Sequence, residues 1–175
     1  CTARSFGKEV KSCKKLSEAV STFANTCATK LRKEKSCCSK ISVFITTNPF
    51  KPNAKQYHPY ITLNFETPTN DSMEIVNMAN KALEYIYRDD CVYKKAGVIV
   101  GNTTPQDEVQ MSLFDTINRD KQKKLMYSVD KINMLMGRDK IRLAAQGFAR
   151  KWKLRQEKLS PCYTTRFADV LTIKI

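Results

Sequence analysis

The spacing of apolar residues switches between strand and helix periods along the first hundred residues, and the order of those switches constrains the fold most. Residues 3–10 are typical of a short strand or edge segment, and residues 17–35 carry apolar side chains at helical spacing. Residues 41–46 and 60–66 alternate apolar and polar side chains on either side of a turn-rich segment. These two stretches predict a hairpin-like pair of strands.

A second helix and a last strand complete the pattern. Asp71 and Glu74 resemble a capping box at the start of an apolar helical stripe, and residues 93–100 form an apolar strand. The order β-α-β-β-α-β predicts an α+β fold, the split β-α-β arrangement, with four strands in one sheet and two helices on one face. We expect the first and last strands to be neighbours at the sheet centre, which leaves the other face available for binding.

A second unit is predicted near residue 117. Its helical stripe comprises Leu125, Val129, Ile132 and Met136, and it ends at Gly137. The chain therefore divides into a domain at residues 1–103, a linker at 104–116 and a C-terminal unit at 117–175. About 59 residues are marginal for a separate core, so we expect this unit to pack on the first or on a partner. Trp152 could stack on a base, but packing is favoured.

Positive charge is concentrated in two blocks. The net charge is +14, and residues 1–60 hold 12 Lys and Arg against 3 Asp and Glu. Residues 61–116 hold 4 against 9, and residues 117–175 hold 15 against 5. Two basic blocks of this size favour a polyanionic partner, and nucleic acid is the leading candidate.

The seven cysteines are not predicted to bind a metal. With one His and no Cys-x-x-Cys, the chain lacks the paired ligands that zinc requires, so we expect reduced thiols in a cytoplasmic protein. The adjacent Asp89 and Asp90 are more typical of a solvated helix end than of a metal site. Because the chain begins at Cys1 without a leader, we expect a fragment of a longer protein. No apolar stretch predicts a membrane span.

A short segment after the last strand has the chemistry of a docking peptide. Gln110, Met111, Ser112, Leu113 and Phe114 combine a hydrogen-bonding amide with a leucine-phenylalanine anchor. An exposed pair of this kind usually needs a pocket on a partner. The pattern Gln-x-x-Leu-Phe resembles the peptide by which bacterial replication and repair proteins dock on the sliding DNA clamp. The alternative is that Leu113 and Phe114 close over the core of the second unit.

Four segments together resemble the UmuC-like Y-family translesion DNA polymerases. Arg4-Ser-Phe-Gly7 is similar to the first strand of their little-finger domain, and Tyr93-Lys-Lys-Ala-Gly-Val-Ile-Val-Gly101 is similar to its last strand. Gln110-Met-Ser-Leu-Phe-Asp115 occupies the place of their clamp-binding peptide. Gln146-Gly-Phe-Ala-Arg-Lys-Trp-Lys-Leu-Arg155 and Leu159-Ser-Pro-Cys-Tyr-Thr-Thr-Arg166 resemble the C-terminal region particular to UmuC.

The resemblance implies a little finger that grips the phosphate backbone of the primer-template duplex without reading bases. The DNA-contact residues that it implies are Arg4, Ser5, Lys8, Lys40, Lys94 and Lys95. It also implies docking on the sliding clamp, and contacts with a UmuD-type subunit and a recombinase filament, in SOS mutagenesis. The expected location is the bacterial cytoplasm, in association with the nucleoid.

The resemblance does not extend to the catalytic palm domain. In the family, palm carboxylates hold two metal ions, expected to be Mg²⁺, near the primer terminus. No segment here resembles that palm, so this fragment is expected to be non-enzymatic and to hold no cofactor. Two alternatives remain. One is a protein-interaction module that tethers a polymerase to accessory subunits without binding DNA, and the other is an RNA-binding α/β protein of ribosomal type.

Overall fold

An antiparallel four-stranded sheet with two helices packed on one face forms the main body of the chain. The computed structural model describes residues 1–52, 54–110, 112, 115, 117–150, 152–154 and 159–170. The strands are β1 (Thr2–Val10), β2 (Ser36–Thr47), β3 (Tyr60–Thr69) and β4 (Tyr93–Pro105). The helices are α1 (Cys13–Lys33), α2 (Ser72–Ile86) and α3 (Arg119–Met136). The predicted α+β class and the order of the first six elements are confirmed.

The strand order in the sheet is β1-β4-β2-β3. The predicted hairpin-like pairing of β2 with β3 is confirmed, as is the adjacency of β1 and β4. The prediction that both of these strands lie at the centre is wrong for β1, which forms an edge. Ala96, Gly97 and Val98 are all buried, as expected for a strand with a neighbouring strand on each side, whereas β1 exposes Arg4 and Ser5 in succession. The central strands are therefore β4 and β2.

The start of α2 is fixed by its predicted N-cap. The Asp71 carboxylate accepts hydrogen bonds from the amides of Met73 (2.7 Å) and Glu74 (3.1 Å). The second half of the predicted capping box is wrong, because the Asp71 amide donates to Thr69 Oγ1. The Glu74 carboxylate instead accepts from Arg119 Nη1 at 2.7 Å. This Glu is therefore used for tertiary contact rather than for capping.

The core lies between the helices and one face of the sheet. Tyr93, Phe6, Phe23, Leu16 and Ile41 are among its largest fully buried side chains. All seven cysteines are free, and Cys27, Cys37, Cys38 and Cys91 are buried, so these four pack as small apolar groups. No described helix is long and apolar enough to cross a membrane.

The predicted third helix is confirmed, but its predicted apolar stripe is not buried. Asn118 caps its start by accepting from the Lys121 amide, and Gly137 follows its end with a φ of 102°. Leu125 and Met136 are 47% and 67% exposed, and Met126 is the one buried residue of α3. Ion pairs attach the helix to the main body instead, so a continuous apolar face is not required.

Leu143 and Trp152, which follow α3, pack on the main body, as predicted for this unit. Trp152 is 3% exposed and meets the rings of Phe6 and Phe23 edge-on, with centroids 6.2 and 5.4 Å away. Its carbonyl accepts from the Gly7 amide on the edge of β1. A Cβ at Gly7 would lie 2.5 Å from the Lys153 carbonyl oxygen, so this contact requires glycine. The predicted packing role of Trp152 is confirmed.

The domain limits at residues 103 and 117 stay predictions. Strand β4 runs to Pro105, and a short 3₁₀ turn follows at Gln106–Glu108. The strand-like segment that begins at Val170 lies, after that residue, outside the described part of the chain.

Candidate nucleic-acid interface

Strand register separates the sheet into a helix-covered face and an open face. Ile41, Val43 and Ile45 of β2 are buried in the core beneath the helices. Because side chains alternate along a strand, the residues between them point away from the helices. The open face, as defined by cross-strand pairing, comprises Ala3, Ser5, Lys40, Ser42, Phe44, Thr46, Tyr60, Thr62, Asn64, Lys95, Gly97, Ile99 and Gly101.

The charged residues among the cross-strand pairs of the open face are all positive. Lys40 and Lys95 are exposed, and none of the paired residues on this face is acidic. The Lys95 ammonium lies 5.8 Å from the centre of the Phe44 ring, within cation–π range. The acid that continues the same alternation, Glu66, is exposed on the edge strand β3, two residues after Asn64. Positive charge on both central strands therefore makes the middle of the face attractive to polyanions.

Hydroxyl groups occupy the outer part of the open face. Ser42 Oγ and Thr62 Oγ1 share a hydrogen bond of 2.7 Å. Hydrogen bonding with Ser42, and then with Thr62, lowers the pKa of the Tyr60 phenol. Ser42 is buried, whereas the exposed hydroxyls of Tyr60 and Thr62 can donate to phosphate oxygens without carrying sequence information.

Two glycines of β4, Gly97 and Gly101, lie on the open face and differ in the space in front of them. A Cβ at Gly97 would lie 2.4 Å from the Phe44 ring and 2.7 Å from the Ala3 side chain. Gly101, on the same face, has open space where its Cβ would stand. The space over Gly97 is thus filled by Phe44 and Ala3, and a ligand can approach the β4 backbone closely only at Gly101, beside Lys40.

The structure brings together only part of the predicted DNA-contact set. Ser5, Lys40 and Lys95 share the open face. Arg4 pairs with Ala96 and so lies on the helix-covered side of the edge strand. The Lys94 ammonium donates to the Phe6 carbonyl at 2.9 Å, which commits that side chain to the β1–β4 junction.

Lys8 is exposed on β1, in the irregular stretch between the paired residues Ser5 and Val10. Sequence reasoning missed Ser42, Tyr60 and Thr62 as open-face residues. The alternation of polar with apolar residues in β2 and β3 contained that signal, because every second position must face away from the core.

Both ends of the predicted clamp-binding peptide are attached to the main body. Upstream, the Gln106 amide donates to the Lys35 carbonyl, and Gln106 Oε1 accepts from Asn70. Downstream, the Asp115 carboxylate accepts from Arg119 Nε at 2.7 Å and from the Ile117 amide. Gln106 and Asp115, which lie on either side of residues 107–114, are thus both held by hydrogen bonds.

Arg119 links the downstream anchor to α2. It pairs with both Asp115 and Glu74, and its Nη1 also approaches Thr69 Oγ1 at 3.3 Å. The hydrogen bond from Arg119 lowers the pKa of Asp115. Burial raises the pKa of Glu74, and Arg119 opposes that shift.

Within the predicted peptide, Gln110 and Ser112 are exposed. Met111, Leu113 and Phe114 lie outside the described residues. The predicted anchoring role of Leu113 and Phe114 therefore stays a prediction.

The described residues contain no cluster of three or more His, Cys, Asp or Glu that could hold a metal ion. Asp90 pairs with Lys55, and both side chains are more than half exposed. Burial raises the pKa of the Cys38 thiol to about 12, which keeps it protonated and unreactive at neutral pH.

Two family models match the chain. The impB/mucB/samB family C-terminal domain matches residues 1–113, and a domain of unknown function (DUF4113) matches residues 123–173. Among curated proteins, the chain is 39% identical to Protein UmuC of Salmonella typhimurium over 173 residues, which are 98% of this chain and 41% of that protein. It is 37% identical to Protein SamB of Salmonella typhimurium over 174 residues, covering 99% of this chain and 41% of SamB.

Protein MucB of Escherichia coli is 37% identical over 175 residues, covering 98% of this chain and 41% of MucB. The chain therefore spans about two fifths of the length of the curated relatives that it matches. These similarities confirm the resemblance that the four sequence segments indicated. The chain belongs to the impB/mucB/samB family, and its residues 1–113 correspond to that family's C-terminal domain.

Proposed function

We propose that this chain is the non-catalytic C-terminal part of an error-prone translesion DNA polymerase acting in SOS repair. It grips the primer-template duplex by its backbone and docks the enzyme on the sliding clamp. The observation that carries the proposal is the open sheet face, which presents Lys40 and Lys95 with hydroxyls and has no acid among its cross-strand-paired residues. Family membership supports the same assignment. The catalytic palm and its Mg²⁺ ions belong to the remainder of the polymerase.

The charge pattern of the open face predicts a weak and sequence-independent grip. Ammonium groups and hydroxyls contact phosphate oxygens, which are the same at every base pair. Each phosphate neutralised by a lysine adds about 0.9 to the slope of log affinity against log salt. Lys40 and Lys95 together should therefore account for about two units of that slope.

Duplex binding by charge-removal variants tests the grip. Lys40→Gln/Lys95→Gln should weaken binding and reduce the salt slope by about two units. Lys33→Gln/Lys81→Gln is the matched control, because it removes two exposed charges from the helices on the opposite side. Equal losses in the two variants would show that binding depends on net charge and would refute a specific role for the open face.

The clamp-docking step is assigned to residues 110–114. We expect Gln110 to hydrogen-bond at the mouth of a groove on the clamp, and Leu113 and Phe114 to enter it. Burying two such side chains contributes roughly 3–6 kcal/mol before ordering costs, which suits a micromolar tether. The contacts of Gln106 and Asp115 support this role, because they hold the residues on either side of the peptide at the main body.

Clamp affinity measured by surface plasmon resonance tests the docking step. Leu113→Ala/Phe114→Ala should abolish binding at micromolar concentration. Met134→Ala/Leu135→Ala is the control, since it removes an apolar pair that is 77% and 70% exposed on α3. Unchanged affinity in the first variant rejects the docking role.

A second candidate function is a protein-interaction module that does not bind DNA. The exposed apolar end of α3 favours it, because Met134, Leu135 and Met136 are all at least two-thirds exposed. A UmuD-type subunit and a recombinase filament are the partners considered. Salt-dependent duplex binding that is lost in Lys40→Gln/Lys95→Gln would exclude this alternative.

A further inference from the structure

A basic cavity of about 200 Å³ lies beside β1, next to α1, and Ser5 of the open face also lines it. Its walls come from β1, the middle of α1 and two short segments that follow α3. The charged residues in its lining are Arg4, Arg138, Asp139, Arg150 and Lys153. Four cations therefore meet one carboxylate, and Arg4, predicted from sequence as a duplex contact, belongs to this cluster.

Arg150 lines this cavity and has buried hydrogen-bonding groups without a partner among the described residues. Its side chain is 11% exposed, and its Nη1 donates to Asp139 at 2.7 Å. Its Nε and Nη2 are buried and have no hydrogen-bond partner among the described residues. In Arg32 the same pair of nitrogens holds both oxygens of Asp130, at 2.6 and 2.8 Å. The free edge of Arg150 therefore has the geometry for a bidentate oxyanion.

Trp152 contributes another unsatisfied donor. Its side chain is 3% exposed and lines the cavity, and its indole Nε1 has no partner among the described residues. Buried polar groups are almost always hydrogen-bonded, because an unmade bond costs about 1–3 kcal/mol. Three unsatisfied donors from two residues that line one cavity indicate a missing acceptor.

The local electrostatics favour a negatively charged acceptor. Burial lowers the pKa of Lys153, and the nearby charges of Arg150, Arg138 and Arg4 lower it further. Asp139, which raises it, offsets only part of this repulsion. An anion in the cavity would relieve the repulsion among the remaining cations.

We propose that this cavity binds a phosphoryl group, held by the Nε and Nη2 edge of Arg150 together with the Trp152 indole N–H. Arg138 and Lys153 supply the surrounding positive charge. A phosphoryl group fits better than a carboxylate, because it offers three or more acceptor oxygens and up to two negative charges. Its source is either a strand of nucleic acid that passes the β1 edge or a free phosphate compound. The site is separate from the proposed grip, because neither Lys40 nor Lys95 lines the cavity.

Trp152 provides a direct reporter, because it is the only tryptophan in the chain. Inorganic phosphate is titrated into the 175-residue chain at constant ionic strength, with chloride as the reference anion, while the ¹H–¹⁵N indole resonance is followed. We expect a saturable shift with phosphate and none with chloride. Absence of a saturable shift overturns the proposal.

Two variants separate the site from general charge effects. Arg138→Gln/Lys153→Gln should weaken phosphate binding by about tenfold, since two of the surrounding positive charges are lost. Lys14→Gln/Lys15→Gln removes two exposed charges from the first turn of α1 and should leave binding unchanged. Arg150→Lys keeps the charge but loses the bidentate edge, and it should also weaken binding. Equal affinities in all variants overturn the proposal.

Two further titrations identify the ligand class. The first uses a single-stranded oligonucleotide without terminal phosphates. If it shifts the indole resonance at a lower concentration than inorganic phosphate does, the site binds a nucleic-acid backbone. Saturation by inorganic phosphate without any response to the oligonucleotide assigns it to a free phosphate compound. An equal response to acetate refutes the preference for phosphoryl groups.

Discussion

Replacement of Trp152 by alanine should destabilise the whole chain by about 3–4 kcal/mol. An indole buries roughly 200 Å² of surface, which at about 25 cal/mol/Å² corresponds to about 5 kcal/mol. Residual compactness of the unfolded chain reduces that figure by up to about 40%. The result agrees with the range of about 3–5 kcal/mol typical of Trp to Ala changes in cores.

The structural reason is that Trp152 joins the segment after α3 to the most N-terminal part of the core. Its ring contacts Phe6 of β1 and Phe23 of α1, and its carbonyl binds Gly7. Trp152→Phe keeps an aromatic ring between Phe6 and Phe23 and removes the unpaired indole N–H. It should therefore cost less than half as much as Trp152→Ala.

Urea unfolding followed by far-UV circular dichroism measures the effect without relying on the fluorophore that is removed. With a slope of roughly 2 kcal/mol/M, Trp152→Ala should lower the midpoint by about 1.5–2 M. Phe167→Ala is the control, because that ring is 99% exposed and its loss should change stability by less than about 0.5 kcal/mol. A Trp152→Ala loss below about 1 kcal/mol would refute the packing argument.

Four other changes test separate parts of the structure. Asp71→Ala removes the N-cap of α2 and should lower the free energy of unfolding in urea by about 1 kcal/mol. Gly97→Val places a side chain 2.4 Å from an aromatic ring and should cost about 1–3 kcal/mol, measured as a lower Tm, whereas Gly101→Val has open space and should not. Arg119→Met leaves two carboxylates without their cation and should cost about 1–3 kcal/mol in urea unfolding. Burial raises the pKa of the Cys38 thiol from 9.0 to about 12. The stability that the protonated thiol contributes is therefore complete below pH 9 and lost as pH rises through 12. Between about pH 8 and about pH 10.5, Cys38→Ala should lose less stability than the parent.

The outcomes that contradict these expectations are distinct. An unchanged midpoint for Asp71→Ala would mean that the buried carboxylate is not a net stabilising cap. Equal Tm values for the two glycine variants would mean that the sheet yields at the Gly97 contact. A neutral Arg119→Met would reduce its ion pairs to surface pairs of little consequence, and parallel pH curves would locate the alkaline transition in groups other than Cys38.

Local periodicity was sufficient to predict the elements of this fold. The alternation in residues 41–46 and 60–66 and the N-cap at Asp71 are short-range signals, and each appears in the structure where it was expected. Sheet order is a long-range property and was only half predicted. The sequence of β1 does not indicate that β4 will lie between β1 and β2. That placement depends on which edge of the β2–β3 hairpin remains free.

The candidate interface was predicted in the same uneven way. Lys40 and Lys95 reach the open face because their parity along the strand is fixed by the buried residues beside them. Lys94 could not be assigned by parity, since the register shifts near Tyr93 and its ammonium turns to a backbone carbonyl. The Arg150 and Trp152 cavity was not visible in the sequence, because it depends on a segment after α3 folding back on β1.

The central position of β4 has a consequence for the order of folding. A nascent chain that ends near residue 92 contains β1, both core helices and the β2–β3 hairpin, but β1 has no strand to pair with. A two-stranded hairpin is marginal in water, so the sheet becomes stable only when β4 enters between β2 and β1. The contacts that β4 makes with β1 span about ninety residues, and such non-local pairing is slow. Synthesis of the last strand, rather than of the first, should therefore set the moment at which this part of the polypeptide becomes protected from proteases.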